Sequence, residues 1–309
     1  MRLALDTLFA DVPEEQIEEA RRFYESRAAG RGPATLEELK EARARRSAPD
    51  AADPPAVEET AGTAELRVPV RIFTPLDGPP RGVHLDIHGG GFYMDCAARG
   101  DRRNRELADS LQLAVVSVDY RLAPEHPWPS APDDCEAAAL WLVEEAEARF
   151  GTSRLAIGGS SAGATLALAT LLRLRDAGAA GRFAGAALQF GTYDLSARTP
   201  AGRLIADEYF IQAYAGHVQD RTVPDISPLY GDLRGLPPTL LVVGSNDVLL
   251  EDNLALAGRL SAAGNDVEVR VYPESPHGFT GHPTAMARTA LSGVSSWLSD
   301  RITQSQGLS

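Results

Sequence analysis

Four short motifs carry residues that could together perform acyl transfer. In chain order they are His88-Gly89-Gly90-Gly91, Gly159-Ser160-Ser161-Ala162-Gly163, Asp247 and His277-Gly278-Phe279. They supply a glycine loop rich in backbone amides, a hydroxyl, a carboxylate and an imidazole. Acyl transfer by a serine nucleophile requires these parts, and the order Ser…Asp…His is one of the known orders of such a triad. The motifs therefore predict a serine hydrolase.

Ser161 is the candidate nucleophile. It lies between a predicted strand and a predicted helix, a context in which the chain must turn sharply, so the residues two before and two after must be small. Gly159 and Gly163 meet that requirement. The competing candidate is Ser160, whose neighbour two residues later is Ala162 rather than glycine.

The glycines after His88 form the candidate oxyanion hole. Successive glycines offer backbone amides with no side chains in the way, and such amides can donate to a tetrahedral oxyanion. We assign Gly90 and Gly91 as donors, with the amide of Ala162 as the third. The alternative is a flexible turn that ends an edge strand.

His84, Asp86 and His88 alternate along a predicted strand. This spacing places all three on one face and superficially resembles a metal site. No nearby cysteine or further histidine and carboxylate group completes a coordination sphere. We therefore predict no metal, and we expect His88 to hold the glycine loop in shape through hydrogen bonds.

Asp247 and His277 are the candidate acid and base. Asp247 follows the apolar strand Leu240–Val243 through a short loop, which is the expected place for a triad acid. It could instead be the N-cap of a predicted helix at 250–263, and Asp252 is the reserve candidate. His277 lies in a loop after the last predicted strand and occupies the third position of the ordered triad.

The elements that must position these residues alternate from residue 64 onward, which favours a mostly parallel sheet with helices on both faces. Predicted strands cover 65–74, 82–88, 113–119, 154–158, 184–190, 239–243 and 267–272. Predicted helices lie near 100–111, 132–149, 162–176, 250–263 and 284–300. The first two strands could pair antiparallel at an edge.

Two segments depart from this alternation. Residues 1–62 are predicted to hold two cap helices and a linker, the linker being the Ala-, Pro- and Asp-rich stretch 47–62. The catalytic domain is predicted at 63–309. Within it, residues 191–237 interrupt the alternation with a helical pattern around 203–216. An insertion after a strand's carboxyl end lies where α/β active sites are built, so we expect a helical cap there.

The composition restricts the possible partners and compartment. A chain of 309 residues with a net charge of −13 would be repelled by phosphates, which argues against nucleic acid. Cys96 and Cys135 give neither a disulfide framework nor zinc-ligand spacing. No signal peptide and no apolar run long enough for a transmembrane helix is recognised, so we expect a cytoplasmic protein without a membrane partner.

With these residues identified, the chain resembles the hormone-sensitive-lipase-like family of α/β-hydrolase carboxylesterases, which is marked by HGGG. The match runs from about residue 64 to 300 and includes the stretch Asp119–Pro129 and the segments Ser227–Leu229 and Leu236–Pro238. The resemblance implies an α/β-hydrolase fold with an eight-stranded sheet and a helical cap. It also implies short- to medium-chain acyl esters as substrates, no cofactor and a possible homodimer.

The chain departs from that family at three positions. Ser160 stands where relatives commonly have aspartate, Ala164 where they have a second glycine, and Asp95 where glycine is usual, with Cys96 behind it. Asp95 and Cys96 concern pocket shape and substrate preference rather than the type of reaction. Some relatives have lost the triad histidine and act as small-molecule receptors, whereas His277 is present here.

Aromatic residues are expected to line the substrate pocket, with packing inside the cap as the alternative role for each of them. The candidates are Phe92 and Tyr93 beside the oxyanion loop and Tyr193, Tyr209, Phe210 and Tyr214 in the insertion. The same machinery could act on an amide or a lactone, so the bond that is cleaved stays open at this point.

Overall fold

A single sheet of eight strands organises the computed structural model, which describes residues 8–27, 32–47, 49 and 51–304. The strands are β1 Val57–Gly62, β2 Arg67–Phe73, β3 Val83–Ile87, β4 Ala114–Val118, β5 Leu155–Ser160, β6 Phe183–Gln189, β7 Thr239–Gly244 and β8 Val267–Tyr272. Their order across the sheet is β1-β2-β4-β3-β5-β6-β7-β8. Only the pairs that involve β2 are antiparallel, so the predicted α/β-hydrolase fold with a mostly parallel sheet is confirmed.

The first strand corrects the prediction of a linker over 47–62. Residues 57–62 form β1, which pairs along its whole length with β2. The strand lies at the sheet edge and buries only Ala61, while Glu58 and Glu59 form ion pairs with arginines of other elements. A strand with one solvated side and no apolar run lacks the alternating pattern from which strands are predicted.

The expected pairing of the first two predicted strands is also wrong. β2 and β3 are not neighbours, because β4 lies between them. The helix that follows β3 returns the chain to β4, which pairs in parallel with β3 and antiparallel with β2. The connection between β2 and β3 therefore passes the place in the sheet that β4 occupies.

Helices cover both faces of the sheet. They are α1 Glu14–Glu25, α2 Leu36–Arg45, α3 Asp101–Leu111, α4 Ser130–Phe150, α5 Ala162–Asp176, α6 Pro200–Leu204, α7 Tyr209–Ala215, α8 Leu250–Ala262 and α9 Ala285–Gln304. One core lies between the sheet and α4, α5 and α8, and a second lies on the α9 side. Because side chains alternate along a strand, Val83, Leu85 and Ile87 enter the first core.

The cap segments differ in detail from the prediction. The helical pattern around 203–216 forms two short helices, α6 and α7, with a break at 205–208. The two predicted N-terminal helices are present as α1 and α2, while residues 1–7 and 28–31 lie outside the described residues. Of the helices that the structure describes, none is both long and apolar enough to cross a membrane.

Candidate active site

Ser161 occupies a sharp turn between the last residue of β5 and the first residue of α5. Its φ is +54°, a left-handed conformation that is strained for a residue with a side chain. A Cβ atom would lie 2.5 Å from the carbonyl oxygen of Ile87 if placed on Gly159, and 2.0 Å from it if placed on Gly163. Both glycines are thus required by the close approach of β3. Ser160, the competing candidate, instead ends β5 beside Gly89.

The three candidate triad side chains lie in one chain of contacts. Ser161 Oγ is 2.9 Å from His277 Nε2, and His277 Nδ1 is 3.0 Å from the nearer carboxylate oxygen of Asp247. A carboxylate accepts, so Nδ1 carries the proton and donates it to Asp247. In a neutral imidazole the lone pair is then on Nε2, where it can accept the hydroxyl proton of Ser161.

Asp247 is held by its own loop. Its side chain has no exposed surface, and one of its oxygens accepts a 2.9 Å hydrogen bond from the Leu249 amide. The imidazole of His277 is 37 % exposed, so it lies between the buried carboxylate of Asp247 and the open cleft. Asp252, the reserve candidate, lies buried within α8, and its carboxylate does not contact the imidazole.

The acid and base loops are joined to each other. The Asn246 amide donates to the Ser275 carbonyl at 3.0 Å, and the Glu274 amide donates to Ser245 Oγ at 3.0 Å. A Cβ on Gly244 would lie 1.9 Å from the Ser275 carbonyl oxygen, so the two loops approach as closely as backbone allows. Since β7 and β8 are parallel neighbours, their carboxyl ends bring Asp247 and His277 together.

The glycine loop after β3 folds into a tight turn. Gly90, Gly91 and Phe92 have φ values of +111°, +61° and +62°, and the Met94 amide donates to the Gly90 carbonyl at 2.8 Å. Ala162 is the first residue of α5, where a backbone amide has no carbonyl one helical turn earlier to bond. The amides of Gly90, Gly91 and Ala162 remain the predicted oxyanion donors.

His88 supports this loop from beneath. Its ring stacks on Tyr120 with 4.1 Å between the ring centroids, and its Nδ1–H donates to the Gly89 carbonyl at 2.7 Å. The Tyr120 hydroxyl donates to the carbonyl of His88 at 3.0 Å. Burial lowers the pKa of His88, which favours the neutral ring.

The other two residues of the alternating trio, His84 and Asp86, are buried in the protein interior. Asp86 accepts hydrogen bonds of 2.9 Å from each of Arg103, Asn104 and Ser117. Burial lowers the pKa of His84 to about 4, so its imidazole is neutral at physiological pH. Across the described part of the chain, no three His, Cys, Asp or Glu side chains form a group that could hold a metal ion.

The aromatic candidates divide between the cleft and the core. Tyr93 and Phe210 line the cleft that opens at Ser161 and His277. Phe92 and Tyr214 do not, because their rings stack on each other with 4.1 Å between centroids and are almost completely buried. For these two the pocket role is wrong, and the packing alternative describes them.

Tyr193 and Tyr209 also lie outside the cleft lining. Tyr193 is fully buried, and Tyr209 meets the edge of Tyr93 with 6.3 Å between the ring centroids. Tyr209 therefore packs against Tyr93, which lines the cleft, but does not line the cleft itself.

The cleft itself has a volume of about 1860 Å³ and includes walls that the sequence did not reveal. The N-terminal segment contributes Pro33, Ala42 and Arg46, and the insertion contributes Leu204 and Ile205. Neither a motif nor a regular spacing marks these residues, because they meet the site only through tertiary packing. The ring of Phe190 also contacts His277 edge-on, with 5.2 Å between the ring centroids.

Comparisons with known proteins agree with the fold. A model of the alpha/beta hydrolase fold family matches residues 84–281. Among solved structures, a bacterial heroin esterase is 27 % identical, with a TM-score of 0.79 over 97 % of this chain and 99 % of that chain. The esterase LipW of Mycobacterium marinum is 26 % identical, with a TM-score of 0.79 over 92 % and 96 %. A hormone-sensitive lipase from a metagenome library is 28 % identical, with a TM-score of 0.73 over 95 % and 99 %.

Proposed function

We propose that this chain, which belongs to the alpha/beta hydrolase fold family, is a serine carboxylesterase that hydrolyses short- to medium-chain acyl esters of small molecules. The observation that carries the proposal is the 2.9 Å contact between Ser161 Oγ and His277 Nε2, continued by the contact from His277 to Asp247. Its solved neighbours include proteins described as esterases.

In the first step, Ser161 Oγ attacks the ester carbonyl carbon while His277 Nε2 accepts the hydroxyl proton. The carbonyl oxygen becomes an oxyanion, which the amides of Gly90, Gly91 and Ala162 bind. Asp247 keeps the imidazole in the required tautomer and stabilises the imidazolium that forms. His277 then gives its proton to the leaving alcohol as the carbon–oxygen bond breaks, and an acyl-enzyme remains on Ser161.

In the second step, water replaces the alcohol. His277 accepts a proton from water, the resulting nucleophile attacks the acyl-enzyme, and the oxyanion forms again at the same amides. Collapse returns the proton to Ser161 Oγ and releases the carboxylic acid. The reaction uses only groups of this chain and one water, so it requires no cofactor.

The N-terminal helices and the insertion 191–237 form the cap over this site in our proposal. Support comes from the cleft, whose walls include residues of both segments together with Ser161 and His277. A cleft bounded by Tyr93, Phe210 and Ile205 offers apolar surface to an acyl chain.

The test is turnover of p-nitrophenyl acetate and p-nitrophenyl butyrate by two matched variants. Ser161→Ala should lower kcat by at least about 10³-fold, because the nucleophile is lost. Ser160→Ala, one residue earlier, should retain activity within about threefold because the His277 imidazole contacts the hydroxyl of Ser161 and not that of Ser160. Far-UV circular dichroism controls for folding. Turnover that survives Ser161→Ala but not Ser160→Ala would contradict the assignment.

A further inference from the structure

Helix α2 meets the oxyanion loop through one arginine. The Arg43 guanidinium donates to the Tyr93 carbonyl from Nε at 3.0 Å and from Nη2 at 2.6 Å. The same Nη2 donates to the Ala123 carbonyl at 2.7 Å, and Nη1 pairs with Glu125 at 2.7 Å. One side chain from a helix at the N-terminus thus bridges two backbone segments beside the site.

The loop that Arg43 contacts has a strained backbone. Gly90, Gly91 and Phe92 lie consecutively at positive φ, and Phe92 has a side chain that disfavours this conformation. Such a conformation persists only when its surroundings determine it from several sides. The Ala123 amide donates to the Phe92 carbonyl at 3.0 Å, which joins the loop to the neighbouring segment. Arg43 reinforces this junction, because it donates to the Tyr93 carbonyl on one side and to the Ala123 carbonyl on the other.

A second contact joins the same helix end to the same loop. Arg46, the residue after α2, forms an ion pair with Asp95, and Arg99 lies 3.7 Å from the same carboxylate. Asp95 has a φ of +74°, which explains why glycine would be favoured at this position. The ion pair with Arg46 ties the far end of the loop to the end of α2.

From these contacts we propose that Arg43 is a positioning residue that sets the oxyanion loop and thereby couples the docking of α2 to catalysis. The inference depends on the proposed function only for its kinetic consequence. Amides at Gly90 and Gly91 stabilise an oxyanion only when they point at it, and small displacements of such groups are costly in rate. Loss of Arg43 therefore lowers kcat more than it raises KM.

The loop itself supplies a test that needs no substrate. In Arg43→Ala, hydrogen exchange of the amides at 90–94 should rise by about tenfold or more, the effect of losing a charge-assisted hydrogen bond. The matched control is Arg45→Ala, because Arg45 lies on the same helix but is exposed and pairs with Glu41 rather than with the loop. Equal exchange in both variants would overturn the proposed clamp even if the protein is an active esterase.

Kinetics on p-nitrophenyl butyrate test the catalytic consequence. Arg43→Ala should lower kcat by about 10- to 100-fold with KM changed less than about threefold, whereas Arg45→Ala should match the unmodified protein. Millimolar methylguanidinium should restore part of the lost kcat. Glu125→Gln, which removes the ion pair but keeps the carbonyl contacts, should cost less than Arg43→Ala. A raised KM with unchanged kcat would overturn the proposal.

Discussion

At the scale of single residues, the two acids near the base have opposite surroundings. Asp247 accepts hydrogen bonds from a backbone amide, which holds its carboxylate in place, and from the imidazole Nδ1–H of His277. Asp252, five residues later, is buried within α8, and burial raises the pKa of its carboxyl to about 6. Asp247 therefore contacts the candidate base, whereas ionisation of Asp252 lowers the free energy of unfolding.

This difference predicts a pH effect of Asp252→Asn. In the unfolded chain an aspartate has a pKa of about 3.9, so between about pH 4 and pH 6 the unfolded chain loses a proton that the folded protein keeps. Stability therefore falls as pH rises through that window. Asparagine cannot ionise, so the variant should lose this dependence and gain on the order of 1–2 kcal/mol relative to the unmodified protein between pH 4 and pH 8.

Thermal unfolding of both proteins at a series of pH values measures the effect. Esterase activity at neutral pH should stay within about threefold, because Asp252 does not contact the imidazole. Melting curves that shift in parallel at every pH would contradict the interpretation, and a collapse of activity would favour Asp252 as the acid.

Residue types and chain order were sufficient to predict where Ser161, Asp247 and His277 would meet. The reason is physical: parallel strands end at one edge of a sheet, so loops after β5, β7 and β8 are neighbours whatever their distance in sequence. Arg43 has no comparable signal. An arginine on an amphipathic helix is typical of a solvated face, and only its tertiary contacts reveal its partners.

At the scale of elements, the turn between β5 and α5 depends on how closely β3 approaches it. The helix begins at Ala162, and Gly163 lies against the carbonyls of Ile87 and His88. The same sheet edge therefore positions both the nucleophile and the start of the glycine loop. This close approach is visible in the sequence as the glycine pattern, whereas the edge strand β1 lacks the alternation of apolar and polar residues from which a strand is predicted.

Gly163→Ala tests this dependence directly. A Cβ would lie 2.0 Å from the Ile87 carbonyl oxygen and 2.6 Å from that of His88, so backbone must move. We expect unfolding to become easier by about 2–4 kcal/mol, together with loss of activity. Gly258→Ala within α8 is the control, because no atom lies within 4 Å of its added Cβ. That variant should be about 0.5–1 kcal/mol more stable, and equal effects in urea titrations would contradict the packing argument.

At the scale of the whole molecule, one edge of the sheet gathers segments from almost the full length of the chain. Helix α2, the glycine loop, the insertion and the final loop all border the same cleft. The alternation of strands and helices predicted the sheet and the edge at which the site is built. It could not predict which aromatic residues face the cleft, because Phe92 and Tyr214 are of the same types as Phe210 and Tyr93 but their rings stack on each other and are buried.

Labelling by a fluorophosphonate probe tests most directly whether His277 activates Ser161. Such a probe reacts with an activated serine, so mass spectrometry of the digested protein identifies the modified residue. We predict modification of Ser161 alone, at a rate that falls by at least about 10³-fold in His277→Ala. Modification of Ser160, or equally rapid labelling without the imidazole, would contradict the account.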